Sequence, residues 1–407
     1  MRLETRWWAL RLAAAIALLG AVNAGAAEPS AAAGKQPPRP ERTEAERVAL
    51  SRELRAIYSR QPTAWPPPQV DPGVEWRELG RLPEVVHPET NSYSMAKAAL
   101  GRTLFHDPRL SASGKMACVT CHEPLLGWAD GRRVSEPHGD IPGRNAPTIL
   151  NTAFMPTLFW DGRAASLEEQ AEQALTNPRE MAAVPDRVVA LVADSPGYRQ
   201  LYSAAFPEAE PTFAGIVAAI ACFERTVVGG RSRFDAFLAG DAAALNDAEL
   251  IGLDLFRREA RCLNCHHGPT LSDGKFHDLG LSFHGRSNED LGRYAITKDP
   301  ADKGRFRTPS LRNVTRTSPL MHTGMFELRG VLTMYNAGMV TLKRQAYERN
   351  DPHFPVKSPL LKPLGLNRHD LADLAAFLHA LEEPKPPSHP PAPPPLGDAQ
   401  PPDPSRP

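Results

Sequence analysis

Cys118-Val-Thr-Cys121-His122 and Cys262-Leu-Asn-Cys265-His266 repeat one spacing of two thiols and an imidazole. C-x-x-C-H is the attachment site of a c-type haem, in which the thiols add to the vinyl groups and the histidine reaches the iron. One copy could equally be a CxxC redox or zinc pair beside a stray histidine. Two copies use four of the five cysteines and leave no further thiols to complete a zinc site. The expected cofactors are therefore two covalently bound haem c groups. The fifth thiol, Cys222, lies in the apolar run Ile216 to Phe223 and reads as a small core residue.

The rest of the chain must position these two sites. Its 407 residues suggest two or more domains. Lys plus Arg and Asp plus Glu both number 47, which argues against a nucleic-acid partner. Arg2, Arg6 and Arg11 flank or precede the apolar run Leu12 to Val22, and Ala24-Gly25-Ala26 offers a cleavage site, so residues 1–26 read as a signal peptide. The apolar run is short for a span of about 20 residues. No stable membrane span is expected after cleavage. Export agrees with the haem motifs and implies a periplasmic location.

Residues 27–75 are rich in Pro and Ala and read as a linker, with a helix over Glu41 to Tyr58. Residues 76–245 form the first expected haem domain. In it, Lys97 to Phe105, Leu167 to Leu175, Pro185 to Val192 and Thr212 to Val228 have helical spacing. Residues 246–383 form the second. It opens with Asn246 and Glu249 as a capping pair and closes with an amphipathic helix over Arg368 to Glu382. Leu100-Gly101-Arg-Thr-Leu104-Phe105 and Ile251-Gly252-Leu-Asp-Leu255-Phe256 precede the two motifs at the same internal spacing. This internal repeat predicts an all-α fold of two cytochrome c-like haem domains with long loops. Residues 384–407 read as a Pro-rich disordered tail.

Several further stretches resemble the bacterial diheme cytochrome c peroxidases and their MauG relatives. They are Leu104-Phe-His-Asp-Pro-Arg-Leu-Ser111, Arg144-Asn-Ala-Pro147, Phe159-Trp-Asp-Gly-Arg-Ala164 and Arg307-Thr-Pro-Ser-Leu-Arg-Asn313. The resemblance implies that the first haem cleaves hydrogen peroxide and the second stores and relays an electron. It implies an inter-haem relay at Trp160, a catalytic acid-base at Glu180 and a distal glutamine at Gln170. A carboxylate over the open haem face can move a proton from one peroxide oxygen to the other. The chain has Gln173-Ala174 where the family usually has Gly-Pro, so the pocket is expected to differ there. His138 matches a loop histidine that caps the first haem and leaves when the second is reduced. Asn145 and the carbonyls of Thr317 and Pro319 match a calcium site, and all-oxygen ligation suits Ca²⁺. Arg307 and His322 match polar residues near the second haem and the calcium.

The second axial ligand separates the family's branches. Peroxidases use a methionine, which raises the potential; MauG-type enzymes use a tyrosine. The alignment favours Tyr335, with Met334 as the alternative. His138 points to a peroxidase fed by a small cytochrome c or cupredoxin. Tyr335 points to a MauG-like oxidase that matures a cofactor in a partner protein. A plain electron-transfer cytochrome is disfavoured by Glu180 and Gln170. The resemblance also suggests a homodimer for the peroxidase branch.

Overall fold

The computed structural model describes residues 39–134 and 143–385. It is mostly helical. The helices are α1 (Glu44–Tyr58), α2 (Met95–Phe105), α3 (Leu167–Thr176), α4 (Pro185–Asp194), α5 (Pro196–Ala205), α6 (Phe213–Glu224), α7 (Arg233–Leu238), α8 (Asp247–Arg257), α9 (Tyr294–Thr297), α10 (Leu328–Asn336) and α11 (Arg368–Ala380). β1 (Phe276–Asp278) and β2 (Arg305–Arg307) pair antiparallel, with His277 opposite Phe306. Side-chain caps start most of the long helices. Thr43, Ser94, Ser166, Thr212, Asn246 and Asn367 each accept a backbone N–H of the first turn.

Two helix crossings organise two apolar cores. α2 crosses α6 at Gly101, where a Cβ would overlap the Ala219 carbonyl oxygen. α8 crosses α11 at Gly252, where a Cβ would overlap the Asp373 carbonyl oxygen. The glycine of the internal repeat is therefore the point of backbone contact in both crossings. Around the first, Leu100, Leu104, Phe105, Ile216 and Ile220 are buried. Around the second, Leu250, Leu253, Phe256, Leu374 and Phe377 are buried. Each such side chain contributes about 1.5–3 kcal/mol on full burial.

The segment before the first motif is fastened to the second core. Leu54, Tyr58 and Trp65 are buried in it. Arg47 pairs with Asp373 of α11 at 2.7 Å, and Tyr58 donates to Asp254 of α8 at 2.8 Å. Farther on, the Gly268 N–H donates to the Arg77 carbonyl at 3.0 Å, so this segment also runs along the second C-x-x-C-H loop. No helix among the described residues is long and apolar enough to cross a membrane.

Candidate active site

Each C-x-x-C-H stretch folds as a single 3-10 turn, over Cys118–Thr120 and Cys262–Asn264. The His122 N–H donates to the Cys118 carbonyl at 3.0 Å, and the His266 N–H to the Cys262 carbonyl at 2.8 Å. This tight turn brings both thiols and the imidazole of each motif to one cavity. His122 Nδ1 lies 3.2 Å from the Trp128 carbonyl, and His266 Nδ1 lies 3.0 Å from the Leu271 carbonyl. A carbonyl can only accept, so each Nδ1 carries the hydrogen and each Nε2 keeps its lone pair. Burial lowers the pKa of both imidazoles, which favours this neutral form.

The first cavity has a volume of about 570 Å³ and holds Gln170, Glu180 and Glu224 alongside Cys118, Cys121 and His122. Gln170 comes from α3, and Glu180 from the turn that follows it. Asn177 Nδ2 donates to Glu180 Oε1 at 2.9 Å, and Arg163 stands 3.9 Å away. Burial raises the Glu180 pKa, while Arg163 and the Asn177 bond oppose the rise. A carboxyl so placed can exchange a proton with a small molecule in the cavity.

The second cavity, of about 200 Å³, holds Cys262, Cys265, His266 and Tyr335. Tyr335 comes from α10. Burial pushes its phenol pKa up, and the Cys265 and Cys262 thiols add to the shift. Met334, the next residue back, is not among the residues lining this cavity. On a helix one step turns about 100°, so only one of the pair can face inward here.

Trp160, Asn145 and Arg307 line both cavities. Trp160 is buried, and its Nε1–H donates to the Asn145 carbonyl at 2.8 Å. The Arg307 N–H donates to the Trp160 carbonyl at 2.8 Å. The loop around Trp160 explains its sequence. Gly162 has φ +69°, and a Cβ there would strike the Phe276 ring. Asp161 accepts from Arg144 at 2.7 Å and from Arg163 at 3.0 Å.

Among the described residues, two buried groups at this wall lack the partners their chemistry calls for. The Arg307 guanidinium bonds only neutral acceptors among the described residues: the Phe159 carbonyl, Met155 Sδ and the Thr308 carbonyl. Burial pushes its pKa down to about 10. His322 is 3% exposed, stacks on Phe306 with ring centroids 3.5 Å apart, and has no partner for Nε2 among the described residues. Burial pushes its pKa down to about 4. A buried unpaired cation is costly and calls for an anion. Haem carries two carboxylates, so the histidine tautomers, the thiol pairs and these unpaired groups together fit haem c.

Among the expected calcium ligands, Asn145 and Thr317 line the second cavity and Pro319 does not. Asn145 is already tied down, with its N–H on the His322 carbonyl at 2.9 Å and Nδ2 on the Arg132 carbonyl at 2.7 Å. His138 lies outside the described residues. Cys265, Asp273 and His277 cluster within 4.8 Å. That cluster is no independent metal site if Cys265 is committed to a thioether. Sequence reasoning missed Glu224 and Arg163. Glu224 carries one signal: it is a carboxylate at the end of the apolar run Ile216 to Phe223.

A family model described as di-haem cytochrome c peroxidase matches residues 95–243. The chain is 37% identical over 342 residues to the cytochrome-c peroxidase IdrP1 of Pseudomonas sp. (strain SCT), covering 76% of this chain and 87% of that protein. It is 39% identical over 308 residues to the methylamine utilization protein MauG of Methylorubrum extorquens, covering 74% and 83%. Its structure is similar to that of a MauG-like protein associated with microbial copper homeostasis, with TM-score 0.68 and 34% identity, over 76% of this chain and 95% of that one. It shares its fold with the diheme peroxidase BthA from Burkholderia thailandensis, at TM-score 0.60 and 24% identity, over 79% and 94%.

Proposed function

Because this chain belongs to the di-haem cytochrome c peroxidase and MauG family, we propose that it is a periplasmic di-haem enzyme that reduces hydrogen peroxide to water. The observation that carries the reading is the grouping of Glu180 and Gln170 in the cavity of the first C-x-x-C-H motif. Bound haem supplies iron that binds peroxide and passes single electrons. Cys118 and Cys121 would hold the first haem by thioethers, and His122 would offer its free ring nitrogen to the iron. Cys262, Cys265 and His266 would do the same for the second. Glu180 takes the proton of one peroxide oxygen and returns it to the other as the bond between them breaks. Gln170 orients the peroxide by hydrogen bonding. Two electrons and two protons complete the conversion to two waters. A small cytochrome c or cupredoxin would supply the electrons, and Trp160, lining both cavities, would carry them between the two haem sites. His138 is the proposed detachable cap of the first iron. Calcium, held by Asn145 and the carbonyls of Thr317 and Pro319, is proposed to stiffen the junction.

A second reading is favoured by Tyr335, which lines the second cavity while Met334 does not. An anionic phenolate stabilises oxidised iron, so the enzyme would draw its electrons from residues of a partner protein, as MauG-like oxidases do. The test is peroxide turnover by the holoenzyme with a reduced small cytochrome or cupredoxin. Sustained turnover supports the peroxidase. Negligible turnover with a long-lived oxidised state supports the second reading. No reaction with peroxide refutes both.

A further inference from the structure

Glu224 ends α6, the helix that also buries Ile216, Val217, Ile220 and Phe223. It is 3% exposed and its Oε2 has no hydrogen-bond partner among the described residues. It lines the first cavity with Cys118, Cys121 and His122. The adjacent Arg225 does not neutralise it, because that guanidinium makes two bonds to Glu168, at 2.6 and 2.7 Å. An unpaired buried carboxylate costs several kcal/mol, which favours its protonated form. Burial pushes its pKa up to about 8, against the Arg225 charge and with the help of Glu168. It is also within electrostatic reach of the Cys118 thiol.

We infer that Glu224 is a redox-linked proton site of the first cavity, binding a proton when the haem attached there gains an electron and releasing it when that electron leaves. The inference rests on the proposed haem at Cys118, Cys121 and His122. The step balances. One electron from the donor protein lowers the charge of the iron by one, and one proton from water converts the carboxylate to the acid. The net charge of the buried site is unchanged, so the electron enters without the cost of an uncompensated charge in a low-dielectric interior. Glu180 only shuttles a proton between peroxide oxygens, whereas Glu224 holds one of those the reaction consumes.

The elements packed against α6 carry other ionisable groups. α3 presents Glu168, and the turn after α3 presents Glu180. α2 carries Lys97, bonded to Asn91 and Ser92, together with Arg102 and His106. The α4 charges Asp186, Arg187 and Asp194 are exposed and therefore screened.

The test is a potentiometric titration of both haems in the holoenzyme across pH. The positive charge of the oxidised haem would lower the Glu224 pKa and its loss on reduction would raise it, so in the native protein the first haem's potential falls as pH rises between those two pKa values and is flat on either side. One proton per electron gives a slope of up to about 59 mV per unit. Glu224→Gln abolishes the slope, Glu180→Gln keeps it, and the second haem follows one curve in all three proteins. A slope that survives Glu224→Gln, or vanishes in Glu180→Gln, overturns the inference. If Glu224→Gln fails to load haem, the infrared difference spectrum of native protein on reduction replaces it. A protonated-carboxyl band that shifts with isotopically labelled glutamate is expected, and its absence overturns the inference. Native protein with no haem at Cys118 would refute the proposed function instead.

Discussion

A group that takes a proton at one moment and returns it at the next works best near its own pKa. Burial raises the pKa of Glu180, and Arg163 restrains the rise. In its proposed role, Glu180→Gln keeps both haems by pyridine haemochrome assay and loses roughly 10²–10⁴ in kcat/KM for peroxide. The carboxylate form takes the first proton, so the rate falls as pH drops through this raised pKa. The acid limb therefore lies above that of an ordinary glutamate, and Arg163→Ala moves it to still higher pH. A limb that ignores both substitutions would remove Glu180 from the chemistry. At the second site, Tyr335→Phe is expected to alter the absorption and EPR signals of one haem, while Met334→Leu alters neither. The reverse pattern would assign the ligand to methionine. The haem motifs were legible in sequence because their spacing is covalent chemistry. The choice between Met334 and Tyr335 was less so, since it turns on one helical step. Glu224 has no spacing signature at all, and its role comes only from what surrounds it.

The helical elements were readable where a polar cap meets an apolar period, as at Asn246. α5 was missed because Ser195 ends α4 and directly precedes α5, leaving no loop to mark the boundary. The β1–β2 pair was missed because three residues are too few to show an alternation. The segment read as a linker carries α1, whose packing depends on Asp254 and Asp373 far along the chain, and no local pattern records such partners. The glycine repeat was visible as a pattern, but its reason was not. Gly101 and Gly252 are where one backbone meets another. Gly252→Ala is expected to cost about 1–3 kcal/mol through overpacking, read as a lower Tm. Neither neighbouring atom is the end of a flexible side chain, so relaxation is limited. A Tm equal to that of the native protein would show that α8 and α11 can part at little cost.

At the scale of the molecule, the two cavities matter to each other through one wall. Trp160 faces both, its indole fixed by the Asn145 carbonyl and its own carbonyl by Arg307 of β2. Arg307 and His322 sit at the same wall with polar needs unmet among the described residues, so groups that bind charge and the aromatic that would carry electrons converge there. Sequence could name these residues but not show that one side chain touches both chambers, because that follows from packing the Phe159 to Ala164 loop against β2. Trp160→Phe keeps an apolar ring but removes the Nε1–H bond and the more easily oxidised indole. Both haems and their potentials are expected to survive this change. Stopped-flow electron exchange between them should slow by roughly tenfold or more, about 1.4 kcal/mol in barrier, with peroxide turnover falling in parallel. Exchange at the native rate would mean that electrons cross elsewhere and that Trp160 serves as structure alone. A slowed exchange with shifted potentials would assign the loss to a disturbed wall instead, which is why both quantities must be measured on the same variant.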